Sequence, residues 1–113
     1  MHEMALCESI RGIIEDQARA QGFVRVERVA LNVGAFSGVE AAALRFGFDV
    51  AMAGSVAQGA RLEIVELPGR AWCLPCAREV EIAERYDACP HCGSYQLQVT
   101  GGEELTIKEL EVF

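Results

Sequence analysis

The sequence predicts an α+β fold: a two-layer domain whose small three-stranded mixed sheet is covered by two helices, with a cysteine-paired module of β-hairpins inserted before the last strand. Three observations carry this reading. Apolar residues recur at helical spacing near the start, they alternate at strand spacing in two later segments, and two Cys-x2-Cys pairs fall close together. A chain of 113 residues suits one compact domain with a small insert and excludes two large domains.

From Met4 to Gln21, the residues Leu6, Ile10, Ile13, Ile14 and Ala18 line one helical face, and Gly22 is a stop signal. Gly12 lowers the helix propensity of this segment. Residues 23–33 alternate as a strand, with a slip of phase between Val26 and Val29 that predicts a bulge or twist. Gly34 to Gly38 forms a turn, and Ser37-Gly-Val-Glu40 matches a capping box opening a second helix through about Met52. Leu62, Ile64 and Leu67 mark a strand over 60–67, parallel to the first through a right-handed crossover. Pro68-Gly69 then breaks that strand. Val80 and Ile82 form a short strand between the cysteine pairs, and Leu97 to Ile107 reads as a closing hairpin around Thr100-Gly-Gly-Glu103. A last strand over 108–113 rejoins the first two. The expected division is an α/β domain of 1–69 and 99–113 with a metal-held module of 70–98.

Composition narrows the function classes. Ten Lys and Arg against seventeen Asp and Glu leave a formal charge of −7. Polyanion binding draws affinity from clustered cations that release counterions, so nucleic acid is an unfavoured partner. Apolar stretches fall well short of the roughly twenty residues that span a bilayer, and the start lacks the basic and apolar regions of a leader. The expectation is a soluble, unprocessed, cytoplasmic protein with no membrane partner.

Cys73 and Cys76 form one pair, Cys89 and Cys92 the other, with twelve residues between them. Two such pairs supply four soft thiolates for the tetrahedral shell that zinc accepts. Because sulfur fills all four positions, none remains for water or substrate, and the metal is structural. A redox dithiol would need only one pair. His91, between Pro90 and Cys92, reads as a turn-surface histidine, Trp72 as packing over the metal knuckle, and Cys7 as a small half-buried hydrophobe.

His2 is the other histidine. An α-amine on Met1, the backbone nitrogen and imidazole of His2, and the amide of Glu3 can close fused chelate rings around one ion. That all-nitrogen square plane favours Ni(II) or Cu(II) over zinc. Glu40 has the capping box as its local role.

Met-His-Glu at the start, Leu-Asn-Val-Gly-Ala-Phe-Ser-Gly-Val-Glu at 31–40, Phe46-Gly-Phe-Asp49, the Gly54–Gly59 loop and the paired cysteines together resemble the HypA/HybF family of hydrogenase nickel-incorporation proteins. The resemblance covers essentially the whole chain. It implies a nickel metallochaperone, not an enzyme, that binds Ni(II) as transient cargo and passes it to the [NiFe]-hydrogenase large-subunit precursor with a partner GTPase. Carried over residue by residue, it makes 1–69 and 99–113 the nickel-binding domain. His2 becomes the essential nickel ligand, with the Met1 amine and the Glu3 amide beside it, and Glu40 a candidate acidic neighbour. Cys73, Cys76, Cys89 and Cys92 match the structural zinc ligands, and the stretch from Met4 to Ile14 matches the helix that docks the GTPase. The expected assembly is a monomer or weak homodimer.

Other functions would leave other marks. A zinc-ribbon nucleic-acid binder would carry a basic stripe, whereas Arg70, Arg78 and Arg85 here face Glu79, Glu81, Glu84 and Asp87. A dithiol oxidoreductase would show a thiol of low pKa and redox cycling without metal, and a structural adaptor would bind zinc but no nickel.

Overall fold

The computed structural model describes residues 3–113. In chain order its elements are α1 (Glu3–Gln21), β1 (Val26–Gly34), α2 (Ala41–Met52), β2 (Arg61–Leu67), β3 (Gly69–Cys73), β4 (Arg78–Ile82), β5 (Leu97–Gly101) and β6 (Leu105–Val112). They form two three-stranded sheets, ordered β2-β1-β6 and β4-β3-β5. Contacts group the chain into two units, one of 1–31, 39–64 and 107–113, the other of 32–38 and 65–106. Three of the four boundaries therefore fall inside β1, β2 and β6, the fourth lies in the loop before α2, and the segment 70–98 lies within the second unit.

The first unit holds both helices. In α1 the buried stripe is Cys7, Ile10, Ile14 and Ala18, at steps of three, four and four. It is centred one residue later than the sequence suggests: Leu6 is half-buried and Ile13 is 50% exposed. Gly22, at φ +77°, ends the helix as expected, its N–H meeting the Ala18 carbonyl at 2.8 Å.

α2 packs against α1 where side chains are smallest. A Cβ on Gly47 would lie 3.3 Å from the Cys7 sulfur, and the Cys7 thiol reaches the Leu44 carbonyl at 3.7 Å. Cys7 is thus fully buried at 0% exposure, not half-buried, because it faces the glycine that lets the helices approach. Arg11 donates to the Ala51 and Ala53 carbonyls at 2.9 and 3.1 Å. It places a cation at the α2 C-terminus, where the helix leaves acceptors unused.

The start of α2 differs from the capping-box reading. Gly38 at φ +76° cannot continue a helix, so the helix begins at Ala41 and Glu40 is itself the N-cap. Its two carboxylate oxygens accept from Ala42 N at 3.3 Å and Ala43 N at 3.0 Å. The carboxylate reaches forward to free N–H groups at the positive end of the helix dipole instead of back toward Ser37.

β1 is the central strand of its sheet, and Val29, Ala30 and Leu31 are all fully buried. Arg28 pairs with Glu63 on β2 at 3.0 Å, and farther along Ala35 N meets Leu67 O at 2.9 Å. Both numbers rise together, so β1 and β2 run parallel, as the crossover predicts. Against β6 the numbers oppose: Arg28 pairs with Glu109 at 2.8 Å, Asn32 with Thr106 at 3.2 Å, and Gly34 N with Glu104 O at 2.7 Å. The sheet is mixed.

β3 pairs antiparallel with both neighbours, from Gly69↔Ile82 to Cys73↔Arg78 on β4 and from Arg70↔Gly101 to Cys73↔Leu97 on β5. Two expectations change here. Residues 69–73 form a strand that the Pro68-Gly69 break hides in the sequence. β5 and β6 are no hairpin, since they belong to different sheets. Gly102, at φ +106°, turns the chain between them, a conformation that favours glycine. The last strand does rejoin β1, but from Leu105 instead of 108.

Gly12 offers a direct check on α1. A Cβ there meets nothing within 4 Å, so Gly12→Ala adds helix propensity without a clash. We expect a gain of about 0.5–1 kcal/mol, read as a higher denaturant midpoint. Gly47→Ala, which crowds Cys7, should gain less; equal midpoints for the two variants would refute the packing account.

Candidate metal centres

The four paired cysteines converge. Cys73 ends β3, and the turn carrying Cys76 closes at Ala77, which adopts φ +52° before β4 begins. The second knuckle is tied by its backbone: Cys89 N bonds to Ser94 O at 2.8 Å, Gly93 N to Cys89 O at 2.9 Å, and His91 N to the Cys89 sulfur at 3.4 Å. The Cys73 and Cys92 sulfurs lie 3.6 Å apart, those of Cys76 and Cys89 4.0 Å apart, and all four fall within 4.8 Å of one another. Zinc bound to sulfur at about 2.3 Å in a tetrahedron requires sulfurs about 3.8 Å apart. The donor set and its spacing fit a structural zinc ion, and among the described residues no cysteine is in a disulfide.

The protonation of the cluster is uneven. The hydrogen bond with Cys92, then burial, pushes the Cys76 thiol up to about 12. Burial also opposes ionisation of Cys89, but the N–H groups of Cys92 and His91 outweigh it and bring that thiol down to about 6. Cys89 is accordingly better prepared as a thiolate than Cys73 or Cys76, whose thiols are raised, and a dication supplies the charge that those two need.

Neighbouring residues take other roles. The His91 Nε2 lies 2.8 Å from the Arg78 guanidinium, which can only donate, so the imidazole accepts there and carries its proton on Nδ1. Trp72 is 40% exposed, because along β3 it alternates with the buried Ala71 and Cys73. Burial, then the Glu3 charge, raises the Cys7 thiol. That buried, protonated sulfur serves packing.

The predicted nickel set is placed only in part. Met1 and His2 lie outside the described residues. Glu3 is the first residue of α1, and a helix leaves its first N–H groups without an internal acceptor. Glu40 is exposed and caps α2. Among the described residues it joins no group of three metal-ligating side chains; the cysteine cluster alone is such a group.

Sequence reasoning passed over the glycine-lined slot in the second unit. A Cβ at Gly69 would overlap the Phe36 ring, and one at Gly34 would overlap the Gly102 carbonyl. The glycines were legible only as turn signals, since what they make room for is distant in sequence.

The match to known proteins extends over the chain. The family model described as "Hydrogenase/urease nickel incorporation, metallochaperone, hypA" matches residues 1–112. Hydrogenase maturation factor HypA 2 of Bradyrhizobium diazoefficiens is 58% identical over 112 residues, and hydrogenase maturation factor HypA of Azotobacter chroococcum is 60% identical over 112, each covering 99% of both chains. The solution structure of the Ni metallochaperone HypA from Helicobacter pylori superposes with a TM-score of 0.74 at 25% identity, covering 100% of this chain and 98% of that one. Among the described residues no helix is long and apolar enough to cross a membrane. With its two helices, two small sheets and four-cysteine cluster, the chain belongs to the HypA family of hydrogenase and urease nickel-incorporation metallochaperones.

Proposed function

We propose that this chain binds one Ni(II) at its amino terminus and delivers it to the [NiFe]-hydrogenase large-subunit precursor, together with a nickel-handling GTPase, in the cytoplasm. The observation that carries the reading is the family match over residues 1–112, which includes the Met-His-Glu start. His2 supplies the imidazole and its backbone nitrogen, Met1 the amine and Glu3 the amide. The first N–H groups of a helix are not committed to its ladder, so a metal can take the Glu3 nitrogen without breaking α1. Amine and amide must lose protons to bind, and nickel affinity therefore rises with pH.

The two centres divide the work by donor chemistry. An all-nitrogen chelate of backbone and imidazole donors needs no folded shell, which suits cargo that must leave. The four-sulfur site is closed, and zinc bound by Cys73, Cys76, Cys89 and Cys92 holds the 70–98 module, which is too small to build a core unaided. Residues 1–69 and 99–113 are assigned to nickel. Glu40 caps α2 and is a candidate carboxylate beside the cargo. The face of α1 from Met4 to Ile14 is the assigned GTPase contact, and the chain acts as a monomer or weak homodimer.

In nickel titration of untagged protein, His2→Ala should abolish the one-equivalent binding while zinc content and circular dichroism stay unchanged; an unaltered titration would remove the terminal site. Extra residues ahead of Met1 should also weaken nickel binding by converting the amine to an amide. Equal affinity with and without the extension would place nickel elsewhere. Cys73→Ser should lose zinc in native mass measurement and disorder mainly 70–98, and one retained equivalent would contradict the four-cysteine shell.

A further inference from the structure

We propose that Phe36 is a positioning residue through which the zinc-held module orders the first part of the β1–α2 loop, residues 35–38; the proposal rests on zinc occupying the cysteine cluster. Phe36 lies 37 positions before the first cysteine of the cluster, yet its side chain packs against the core of that module, formed by Ala71, Cys73, Val80, Ile82 and Cys89. Two of those five residues are zinc-ligand candidates, so the wall on which the ring rests is built partly from the metal shell itself.

The slot for the ring is made by glycines. A Cβ on Gly69 would overlap the ring, and one on Gly102 would lie 2.9 Å from Phe36 Cδ2 and 2.9 Å from Gly69 Cα. Arg85, four residues before Cys89, closes the open side: its guanidinium carbon stands 5.1 Å from the ring centroid, and Nη2 donates to the Phe36 carbonyl at 3.3 Å and to Glu103 at 3.1 Å. The loop backbone is held by the same unit, with Ala35 N on Leu67 O at 2.9 Å and Phe36 N on Gly102 O at 2.6 Å.

These contacts make the loop conditional on the module. A metal-held core of this size loses its packing when the metal leaves. The ring then loses its wall, Arg85 loses its place before the second knuckle, and the two loop amides open to water. Four residues beyond Phe36 the chain reaches Glu40, the cap of α2. The loop is therefore the covalent lead-in to that helix, and Phe36 is where zinc acts on it.

Amide hydrogen exchange on the full chain, with zinc content followed by native mass measurement, tests this directly. In the unsubstituted protein with one zinc bound, the Ala35 and Phe36 amides should be protected, and chelating the zinc should speed their exchange roughly tenfold or more. In Phe36→Ala with its zinc retained, both amides should exchange fast from the outset, and zinc removal should add little. Protection that survives zinc removal, or a zinc-loaded Phe36→Ala with slow loop amides, would overturn the proposal. Where Phe36→Ala does not fold, Arg85→Gln takes its place. Faster loop exchange at full zinc content supports the positioning role, and exchange equal to the unsubstituted protein refutes it. Failure to find one zinc per chain before chelation would instead strike the zinc assignment.

Discussion

Four sulfurs drawn within 4.8 Å of one another are the arrangement that the second unit is organised around. Thiols so close cannot all ionise without a cation, since each thiolate raises the cost of the next. The hydrogen bond with Cys92, then burial, adds to that cost by pushing Cys76 up to about 12. A dication reverses it and joins β3 to both knuckles. The sheet β4-β3-β5 then needs only a thin apolar layer, Ala71, Val80 and Ile82, because the metal supplies the cohesion that a larger core would otherwise give.

The first unit is held by different means. Its stripe of Cys7, Ile10, Ile14 and Ala18, the buried β1, and the Gly47 approach make an ordinary apolar interior. Its polar devices are local: Arg11 at the end of α2, Glu40 at its start, and Arg28 among Glu63, Glu109 and Glu111. The Arg28 guanidinium, by hydrogen bond and charge, holds the Glu109 carboxyl below its usual range. No charged residue among the described ones is buried, so the acidic balance of −7 is carried on the surface.

What the sequence made legible follows from the range of each signal. Helical spacing, the Ser37-x-x-Glu40 signal and the Cys-x2-Cys pairs are short-range patterns, and they located α1, α2 and the cysteine cluster respectively. The cap at Glu40 was misread by three residues because Ser37-x-x-Glu40 satisfies a capping box in composition, while the backbone at Gly38 forbids it. β3 was hidden because its buried positions are Gly69, Ala71 and Cys73, which carry little strand signal. The Phe36 slot was invisible for a stronger reason. It joins residues 34–36, 69, 85 and 102, and a glycine required by a distant ring looks no different from a glycine in a turn.

The candidate sites divide along the same line. The zinc shell was legible because its four ligands sit in two local repeats of one residue type. A terminal nickel site uses backbone atoms that every chain possesses, so it can be read only from the single side chain at His2 and from the family. That asymmetry has a physical consequence for a carrier. A shell of four thiolates binds by soft, anionic donors fixed in a folded scaffold, and release requires the scaffold to open. A chelate of amine, amide and imidazole closes when protons leave and opens when they return, with no demand on the core. A protein that must keep one metal and surrender another can do so only if the two sites differ in this way. In the proposed arrangement, folded side chains keep one metal and donors at the chain terminus surrender the other, within 113 residues.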